Sequence, residues 1–193
     1  MYKLCVSEQS ARRQRELESG LLSLMQIRHY EDISVSDLCD HLQIPRKSFY
    51  RYFSGKDGAL HALVDHTLME YPQTTLPDKP ADFQRSVEAY FQFWKERKPL
   101  LDALQRSELT TLLLHRSILL TAVDGSIALR RTPEDDALTH EHMVLFTLSG
   151  LLALVIQWHQ TGFKVSIPRI AASAVRLLTK PLFAPTAPSD TNN

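Results

Sequence analysis

The chain has 193 residues and 44% of them are hydrophobic, which is enough apolar surface for one or two folded domains. Its 22 basic and 22 acidic side chains balance, so a charged partner would have to meet a local patch. Two cysteines, Cys5 and Cys39, give neither a disulfide framework nor a zinc spacing. The longest apolar stretch, residues 146–158, is shorter than the roughly 20 residues of a membrane span. We therefore expect a cytoplasmic protein with no membrane partner.

Apolar residues recur at helical spacing along most of the chain, and this pattern predicts an all-α fold of about nine helices. The first helix is predicted over residues 7–29. A second, short helix is predicted over residues 35–42. Ser34 is its expected N-cap, and Asp37 stands three residues further on, where the partner in a capping box belongs.

The sequence RKSFYRYF, residues 46–53, is predicted to form the third helix, and Pro45 suits its start because proline has no N–H to satisfy there. A longer helix is predicted over residues 56–71. Three prolines within residues 71–80 then indicate a hinge or boundary. The remaining predicted helices cover residues 82–97, 99–106, 108–130, 133–160 and 167–179, and residues 181–193 form a proline-rich tail that we expect to be disordered.

Phe49 and Phe53 lie four residues apart and share one helical face, where the apolar residues of 35–44 can meet them. Two short helices with a tight connection have the outline of a helix-turn-helix. The other side chains of 46–53 then point away from this core. No acid interrupts residues 45–56, which carry a formal charge of +4 from Arg46, Lys47, Arg51 and Lys56. Such a patch suits DNA phosphates, whereas the alternative is a solvated basic helix in an unrelated bundle.

The segment from Ile33 to Leu60 resembles the DNA-binding signature of the tetracycline-repressor (TetR) family of transcriptional regulators. Two positions depart from the family pattern. Gln43 replaces the usual turn glycine, at an expected cost of about 1 kcal/mol if its φ is positive, and Cys39 replaces a usual alanine. The matching residues are Ser34, Leu38, Ser48, Phe49, Tyr50, Arg51, Tyr52, Phe53 and Lys56.

The resemblance implies a homodimeric repressor that binds a palindromic operator in double-stranded DNA and is released by an effector. Residues 1–55 would form the three-helix DNA-binding domain. Residues 56–180 would form the helical effector-binding and dimerisation domain, with 56–71 as the connector. Arg46, Lys47, Ser48 and Tyr50 would enter or flank the major groove, Ser34, Tyr52 and Lys56 would hold phosphates, and Ser36 and Arg51 are further DNA-contact candidates.

Residues 146–158 are apolar nearly all round, whereas a helix in a monomeric bundle needs only one apolar stripe. We therefore predict that this helix and residues 167–179 pack against a second copy of the chain. The alternative is a fully buried central helix in a monomer. The predicted dimer-interface residues are Leu148, Leu151, Leu152, Val155, Ala171, Ala174, Val175 and Leu178.

An effector pocket is predicted among the helices between Phe83 and His159, for a small apolar or aromatic molecule. Aromatic residues at helical spacing are more often core than ligand contacts, so these residues are candidates only. The lining candidates are Tyr90, Phe91, Trp94, Leu104, Leu113, Phe146 and Trp158, and the candidate polar anchors are Thr110, His115 and His159.

Two other functions remain open: a DNA-binding regulator controlled by a protein partner, and a helical interaction protein without DNA binding, which Gln43 would favour. His61 and Asp65 have the four-residue spacing of metal ligands on a helix, but no third ligand is identifiable. We found no nucleophile elbow, dinucleotide fingerprint or pair of catalytic carboxylates. The sequence therefore predicts no catalytic residue, no metal site and no cofactor, and an enzyme is not expected.

Overall fold

The computed structural model describes residues 2–3, 5, 7–75, 83–124 and 136–179. This part of the chain forms nine α-helices and one short 3-10 helix, Tyr30–Asp32, which confirms the predicted all-α class. The helices are α1 (Glu8–Met25), α2 (Val35–His41), α3 (Arg46–Phe49), α4 (Lys56–Thr75), α5 (Phe83–Glu96), α6 (Lys98–Arg106), α7 (Thr110–Asp124), α8 (Ala137–Gln160) and α9 (Ile167–Thr179). The predicted tail, residues 181–193, lies outside the described residues.

The N-terminal helices pack tightly, with α2 against both α1 and α3 and with α1 against α4. Gly20 of α1 lies at the closest approach to the end of α2. A Cβ atom at Gly20 would come within 2.7 Å of the Leu42 side chain, well inside van der Waals contact. Glycine therefore allows these helices to approach, and Leu42 can fill the space that a larger side chain on α1 would occupy.

Helix α4 joins the two halves of the molecule, because it packs on α1 and also on α5 and α7. In the C-terminal half, α5 packs along α9 and α7 packs along α8. One continuous hydrophobic core runs through both halves, from Leu17 on α1 to Ala174 on α9. The predicted domain limits, 1–55 and 56–180, stay a prediction.

Helix α3 is shorter than predicted, because it spans Arg46–Phe49 and not residues 46–53. The chain continues as a turn in which the Tyr52 N–H donates to the Phe49 carbonyl at 3.0 Å. The backbone then pairs with the N-terminus: Tyr52 O accepts from the Lys3 N–H at 3.0 Å, and Phe53 forms an antiparallel bridge with Tyr2. This extended pairing is incompatible with a second helical turn.

Several other helix limits also differ from the predicted ones. Helix α1 ends at Met25 and not at residue 29. Helix α7 begins at Thr110 and not at residue 108, because Glu108 has a left-handed backbone with φ 58°. Helix α8 begins at Ala137, where the Asp136 side chain accepts from the Thr139 N–H at 2.6 Å. Helix α4 continues to Thr75, beyond the predicted end at Tyr71.

Helix α8 is unusually apolar. Its residues 141–160 are long and apolar enough to cross a membrane by length and composition, and 33% of the most apolar window is buried inside the subunit. The buried part includes Leu152, Val155 and Trp158. The opposite face carries Phe146, which is 72% exposed. The apolar character of α8 is thus divided between a face inside the subunit and a face on its surface.

We expect Phe49→Ala to destabilise the protein by about 3–5 kcal/mol, because the ring is fully buried and its loss leaves a cavity. The matched control is the adjacent Tyr50→Ala, whose side chain is 45% exposed and whose loss costs far less. Urea unfolding monitored by circular dichroism measures both changes. Equal losses for the two variants would show that the inward and outward faces of α3 are wrongly assigned.

Candidate nucleic-acid interface

Helix α2 begins at a complete capping box, as predicted. Ser34 Oγ accepts from the Asp37 N–H at 3.1 Å, and Asp37 Oδ2 accepts from the Ser34 N–H at 2.8 Å. The Ser34 hydroxyl also donates to this carboxylate, and Arg28 Nη1 donates to Asp37 Oδ1 at 3.0 Å. These hydrogen bonds, from Ser34 first and then from Arg28, hold the pKa of Asp37 well below its usual range. The exposed Ser34 hydroxyl is therefore committed to Asp37, and its contact with a phosphate stays a prediction.

The turn between α2 and α3 is a Schellman motif with Gln43 in the left-handed position, at φ 52°. The Ile44 N–H donates to the Cys39 carbonyl at 2.9 Å, and the Gln43 N–H donates to the Asp40 carbonyl at 3.2 Å. Gln43 Nε2 also donates to the Asp40 carbonyl, at 2.7 Å. The positive φ expected at Gln43 is confirmed, and its own amide helps to satisfy the helix end without glycine.

Helix α3 and the turn after it separate an apolar side from a basic side. Phe49 and Phe53 are fully buried, with ring centroids 5.3 Å apart. Around them, the side chains of Arg46, Lys47, Tyr50 and Arg51 are exposed. The phenylalanines therefore hold this segment so that three cations and one tyrosine hydroxyl face the solvent.

Arg46 and Tyr50 stand one helical turn apart and interact. A hydrogen bond between their side chains, with the nearby charges, raises the pKa of the Arg46 guanidinium above its usual value. The Tyr50 ring also packs edge-on against Phe49, with centroids 5.4 Å apart. Tyr50 is thus held from both sides, and its exposed hydroxyl has a defined position on the basic surface.

The other candidate DNA contacts are less exposed. Ser36, Ser48 and Tyr52 are half-buried, and the Tyr52 ring lies 6.5 Å from the ring of Phe53. Tyr52 therefore stands at the rim between the core and the basic surface. Ser36 lies in the first turn of α2, directly after the capped end.

Lys56 is engaged inside the subunit. Its ammonium donates to the carbonyls of Tyr30 and Glu31 at 2.9 and 3.2 Å, and it lies 4.4 Å from the centroid of the Tyr30 ring. The Tyr30 hydroxyl in turn donates to Asp57, and burial together with this bond raises its pKa. Lys56 thus fastens the start of α4 to the 3-10 helix, and a phosphate contact would compete with these bonds.

The structure brings most of the predicted effector-pocket residues together, but not all of them. Tyr90, Phe91, Trp94, Leu104, Leu113 and Trp158 are buried in one core, and Thr110 is half-buried at its edge. His115 and Phe146 lie on the surface, so the prediction that they line an interior pocket is wrong. His115 is on α7 and Phe146 is on α8, and in both helices the opposite face points into the subunit. His159 is buried and its Nε2 lies 2.8 Å from Asp102 Oδ1, so it is already paired within the subunit.

Most of the predicted dimer-interface residues are buried inside the subunit. Leu151, Leu152, Val155, Ala171 and Ala174 belong to its core, so their contact with a second chain stays a prediction. Leu148, Val175 and Leu178 are half-buried. The free faces of α8 and α9 are formed by other residues: Phe146, Gly150, Ala153 and Gln157 on α8, and Ala172, Ser173, Arg176 and Leu177 on α9.

A polar cluster that the sequence did not reveal links the N-terminus to the C-terminal half. The Tyr2 hydroxyl donates to Asp65 Oδ2 at 2.7 Å, and Arg116 Nε donates to Asp65 Oδ1 at 2.6 Å. Asp65 is fully buried on α4, whereas Arg116 comes from α7. Lys3 follows Tyr2 and is exposed. The alternation of Tyr2 and Lys3 was too short a signal to identify an extended segment.

The chain is similar in sequence to a known regulator and similar in fold to several solved structures. No protein-family model matches the chain. It is 30% identical over 97 residues to the HTH-type transcriptional regulator EthR of Mycobacterium tuberculosis. The alignment covers 46% of this chain and 45% of EthR, so the chain matches about half the length of this curated relative.

Solved structures share the fold over nearly the whole chain. The dihydroxyacetone kinase operon activator DhaS has a TM-score of 0.59 at 18% identity, covering 86% of this chain and 93% of DhaS. A TetR-family transcriptional regulator from Streptomyces coelicolor has a TM-score of 0.56 at 18% identity, covering 87% and 79%. The TetR-family repressor FadR of Thermus thermophilus, solved with lauroyl-CoA, has a TM-score of 0.52 at 14% identity, covering 93% and 100%. The TM-scores show a shared fold, whereas the sequence identities are low.

The lowered pKa of Asp37 predicts an acid-sensitive contribution to stability. This contribution is present above the usual carboxyl pKa of about 3.9 and is lost as the pH falls through the lower pKa of the folded state, because a protonated Asp37 accepts poorly. Asp37→Asn should therefore unfold at a lower urea concentration than the wild type at pH 7. This difference in the urea midpoint should become smaller towards pH 2. Asp40→Asn, an exposed carboxylate on the same helix, is the control. A difference in urea midpoint that does not change with pH would contradict the contribution of the Asp37 carboxylate to stability.

Proposed function

We propose that this chain is a transcriptional regulator of the TetR family, a homodimeric repressor that binds a palindromic operator and leaves it when a small molecule binds. Members of this family are transcription factors and not enzymes, and we place this one in the cytoplasm. The proposal covers the whole chain, although the sequence match to EthR covers half of it.

One observation carries the DNA-binding part of the proposal: the basic residues of a segment without acids are exposed on one side of two buried phenylalanines. Arg46, Lys47, Tyr50 and Arg51 are exposed because Phe49 and Phe53 occupy the core on the other side. Cations at this density attract the phosphate backbone, and arginine can donate two hydrogen bonds to a guanine edge. Tyr50 and Lys47 are proposed to enter the major groove, with Ser48 beside them and Ser34, Ser36, Tyr52 and Lys56 at the rim.

The free faces of α8 and α9 support a dimer. Phe146 is 72% exposed and Leu177 is 47% exposed, and apolar exposure of this size is costly in water. Gly150, Ala153 and Ala172 lie on the exposed sides of the same helices and would allow their backbones to approach a partner closely. A two-fold contact of this kind would present two copies of α3 about 34–36 Å apart, which is one turn of DNA.

The effector is proposed to be a small apolar or aromatic molecule that binds among the aromatic residues of the C-terminal bundle. Tyr90 and Trp94 pack on each other along α5, and Phe91 meets Trp158 of α8, with ring centroids 5.6 Å apart. FadR of Thermus thermophilus, which shares this fold, was solved with lauroyl-CoA, a ligand with an apolar acyl chain. An effector that binds more tightly when the spacing of the two α3 helices does not fit the operator lowers operator affinity by linkage, typically by about 1–3 kcal/mol. Helix α4 would transmit the change, since it contacts both halves.

We expect Tyr50→Ala and Lys47→Ala to weaken operator binding, each by about 1–3 kcal/mol per half-site, because both side chains are exposed on the basic surface and support no core contact. The operator is first obtained by selecting bound sequences from random DNA, and affinity is measured by gel-shift titration. Lys164→Ala removes an exposed lysine of the C-terminal half and serves as the matched control. Unchanged affinity in both variants, or no selected palindrome, would favour an interaction protein without DNA binding.

We expect Phe146→Glu to convert the dimer into a monomer, because it buries a carboxylate in the proposed interface. The control is Ile118→Glu on α7, an exposed apolar residue outside α8 and α9. Sedimentation velocity measures both oligomeric states. A dimer that survives Phe146→Glu and dissociates with Ile118→Glu would move the interface to α7.

A further inference from the structure

Residues 2–3, the N-terminal arm, are fixed against the end of the basic segment by backbone bonds. The Lys3 N–H donates to the Tyr52 carbonyl at 3.0 Å, and the Lys3 carbonyl accepts from Gln14 Nε2 at 3.1 Å. Gln14 is itself buried on α1. Both backbone polar groups of Lys3 are therefore satisfied by the folded subunit, and the arm has a defined position beside α3.

The pairing also determines which way the arm's side chains point. In an antiparallel pair, directly opposed residues share one side and their neighbours share the other. Tyr2 is opposite Phe53, and both are directed toward the interior. Lys3 and Tyr52 are consequently on the outer side, where Lys3 is exposed. The Lys3 ammonium thus extends the surface to which Tyr52, a proposed phosphate contact, also belongs.

The inward-facing side chain of the arm, Tyr2, contacts the buried ion pair of Asp65 and Arg116. Asp65 is fully buried and accepts hydrogen bonds from the Tyr2 hydroxyl and from Arg116, which binds both carboxylate oxygens. The edge of the Tyr2 ring also packs on His66, with ring centroids 5.6 Å apart. Burial, followed by the hydrogen bond to Asp65, raises the pKa of Tyr2 to about 12, so the hydroxyl remains a donor at neutral pH.

We propose that the N-terminal arm is a second DNA-binding element, in which Lys3 binds a backbone phosphate beside Tyr52 and the chain Tyr2–Asp65–Arg116 ties its position to helix α7. This inference rests on the proposed operator binding. Because Tyr2 and Arg116 of α7 bind the same carboxylate, a shift of the C-terminal bundle would move the arm, and Lys3 with it. The arm therefore connects effector binding to DNA affinity through Asp65 of α4 and Arg116 of α7, in addition to the contact between α4 and α1.

Counterion release gives the proposal a quantitative signature. Each phosphate that a lysine neutralises contributes about −0.9 to the slope of log affinity against log salt concentration. One Lys3 in each subunit of a dimer contributes about −1.8. Lys3→Ala should therefore flatten the salt slope by about 1.8 and weaken binding equally for all operator variants, because a phosphate contact carries no sequence information. Lys3→Arg should preserve the slope.

The salt titration uses the full-length dimer and the selected operator, with Lys164→Ala as the exposed-lysine control. An unchanged slope for Lys3→Ala would overturn the arm as a DNA contact. Tyr50→Ala is measured alongside, because it separates the two proposals. If Tyr50→Ala also leaves affinity unchanged, operator binding by this surface fails. If Tyr50→Ala weakens binding and Lys3→Ala has no effect, only the arm is excluded.

A double-mutant cycle tests the tie to the buried ion pair. Tyr2→Phe keeps the ring and removes only the hydroxyl, and Arg116 still compensates the Asp65 charge, so the subunit should remain folded in urea titrations. The arm then keeps the two backbone bonds of Lys3 but loses its tie to Asp65. Tyr2→Phe should therefore flatten the salt slope part of the way towards that of Lys3→Ala, and Lys3→Ala should change the slope less in this background than in the wild type. Fully additive effects would show that Lys3 binds DNA independently of Tyr2, and would overturn the tie.

Discussion

The burial of Phe49 and Phe53 is the constraint on which the proposed interface depends. Their rings lie 5.3 Å apart in the core, and the short helix that bears Phe49 has no other apolar anchor among its own residues. Because both rings occupy the interior, the neighbouring cations have only the solvent side available. The left-handed Gln43 after α2 then sets the direction in which the chain enters α3. The direction in which the proposed DNA-binding side chains point therefore follows from the packing of the core, and the exposed residues supply the positive charge.

Features that arise from neighbours in sequence were predictable. The capping box needs only a serine and an acid three residues apart, and the positive φ of Gln43 follows from its place in the turn. Helix positions were predicted correctly because apolar spacing reports one buried face. The length of α3 was not, since the Lys3–Tyr52 bond that ends helical geometry joins residues from opposite ends of the N-terminal half. The periodic pattern of apolar residues gives no information about such a long-range hydrogen bond.

Helix α8 shows the limit of apolar patterns most clearly. It is apolar on nearly every side, so its sequence did not reveal that Leu152 packs inside the subunit while Phe146 faces outward. The placement of the helices around α8 distinguishes the two faces. The buried ion pair is another case, because Asp65 and Arg116 are separated by 51 residues. The charge of Lys56 was visible, whereas its engagement by the Tyr30 and Glu31 carbonyls was not.

The close approach of Gly20 to Leu42 has a consequence for how such a regulator can diverge. Leu42 immediately precedes the turn residue Gln43, and a side chain at position 20 would first meet the tip of the Leu42 side chain. Where that tip has no room to move aside, the Leu42 backbone must shift, and this shift would re-orient α3 without changing any exposed basic residue. If these residues bind DNA as proposed, operator preference depends on a buried helix crossing as well as on the exposed residues.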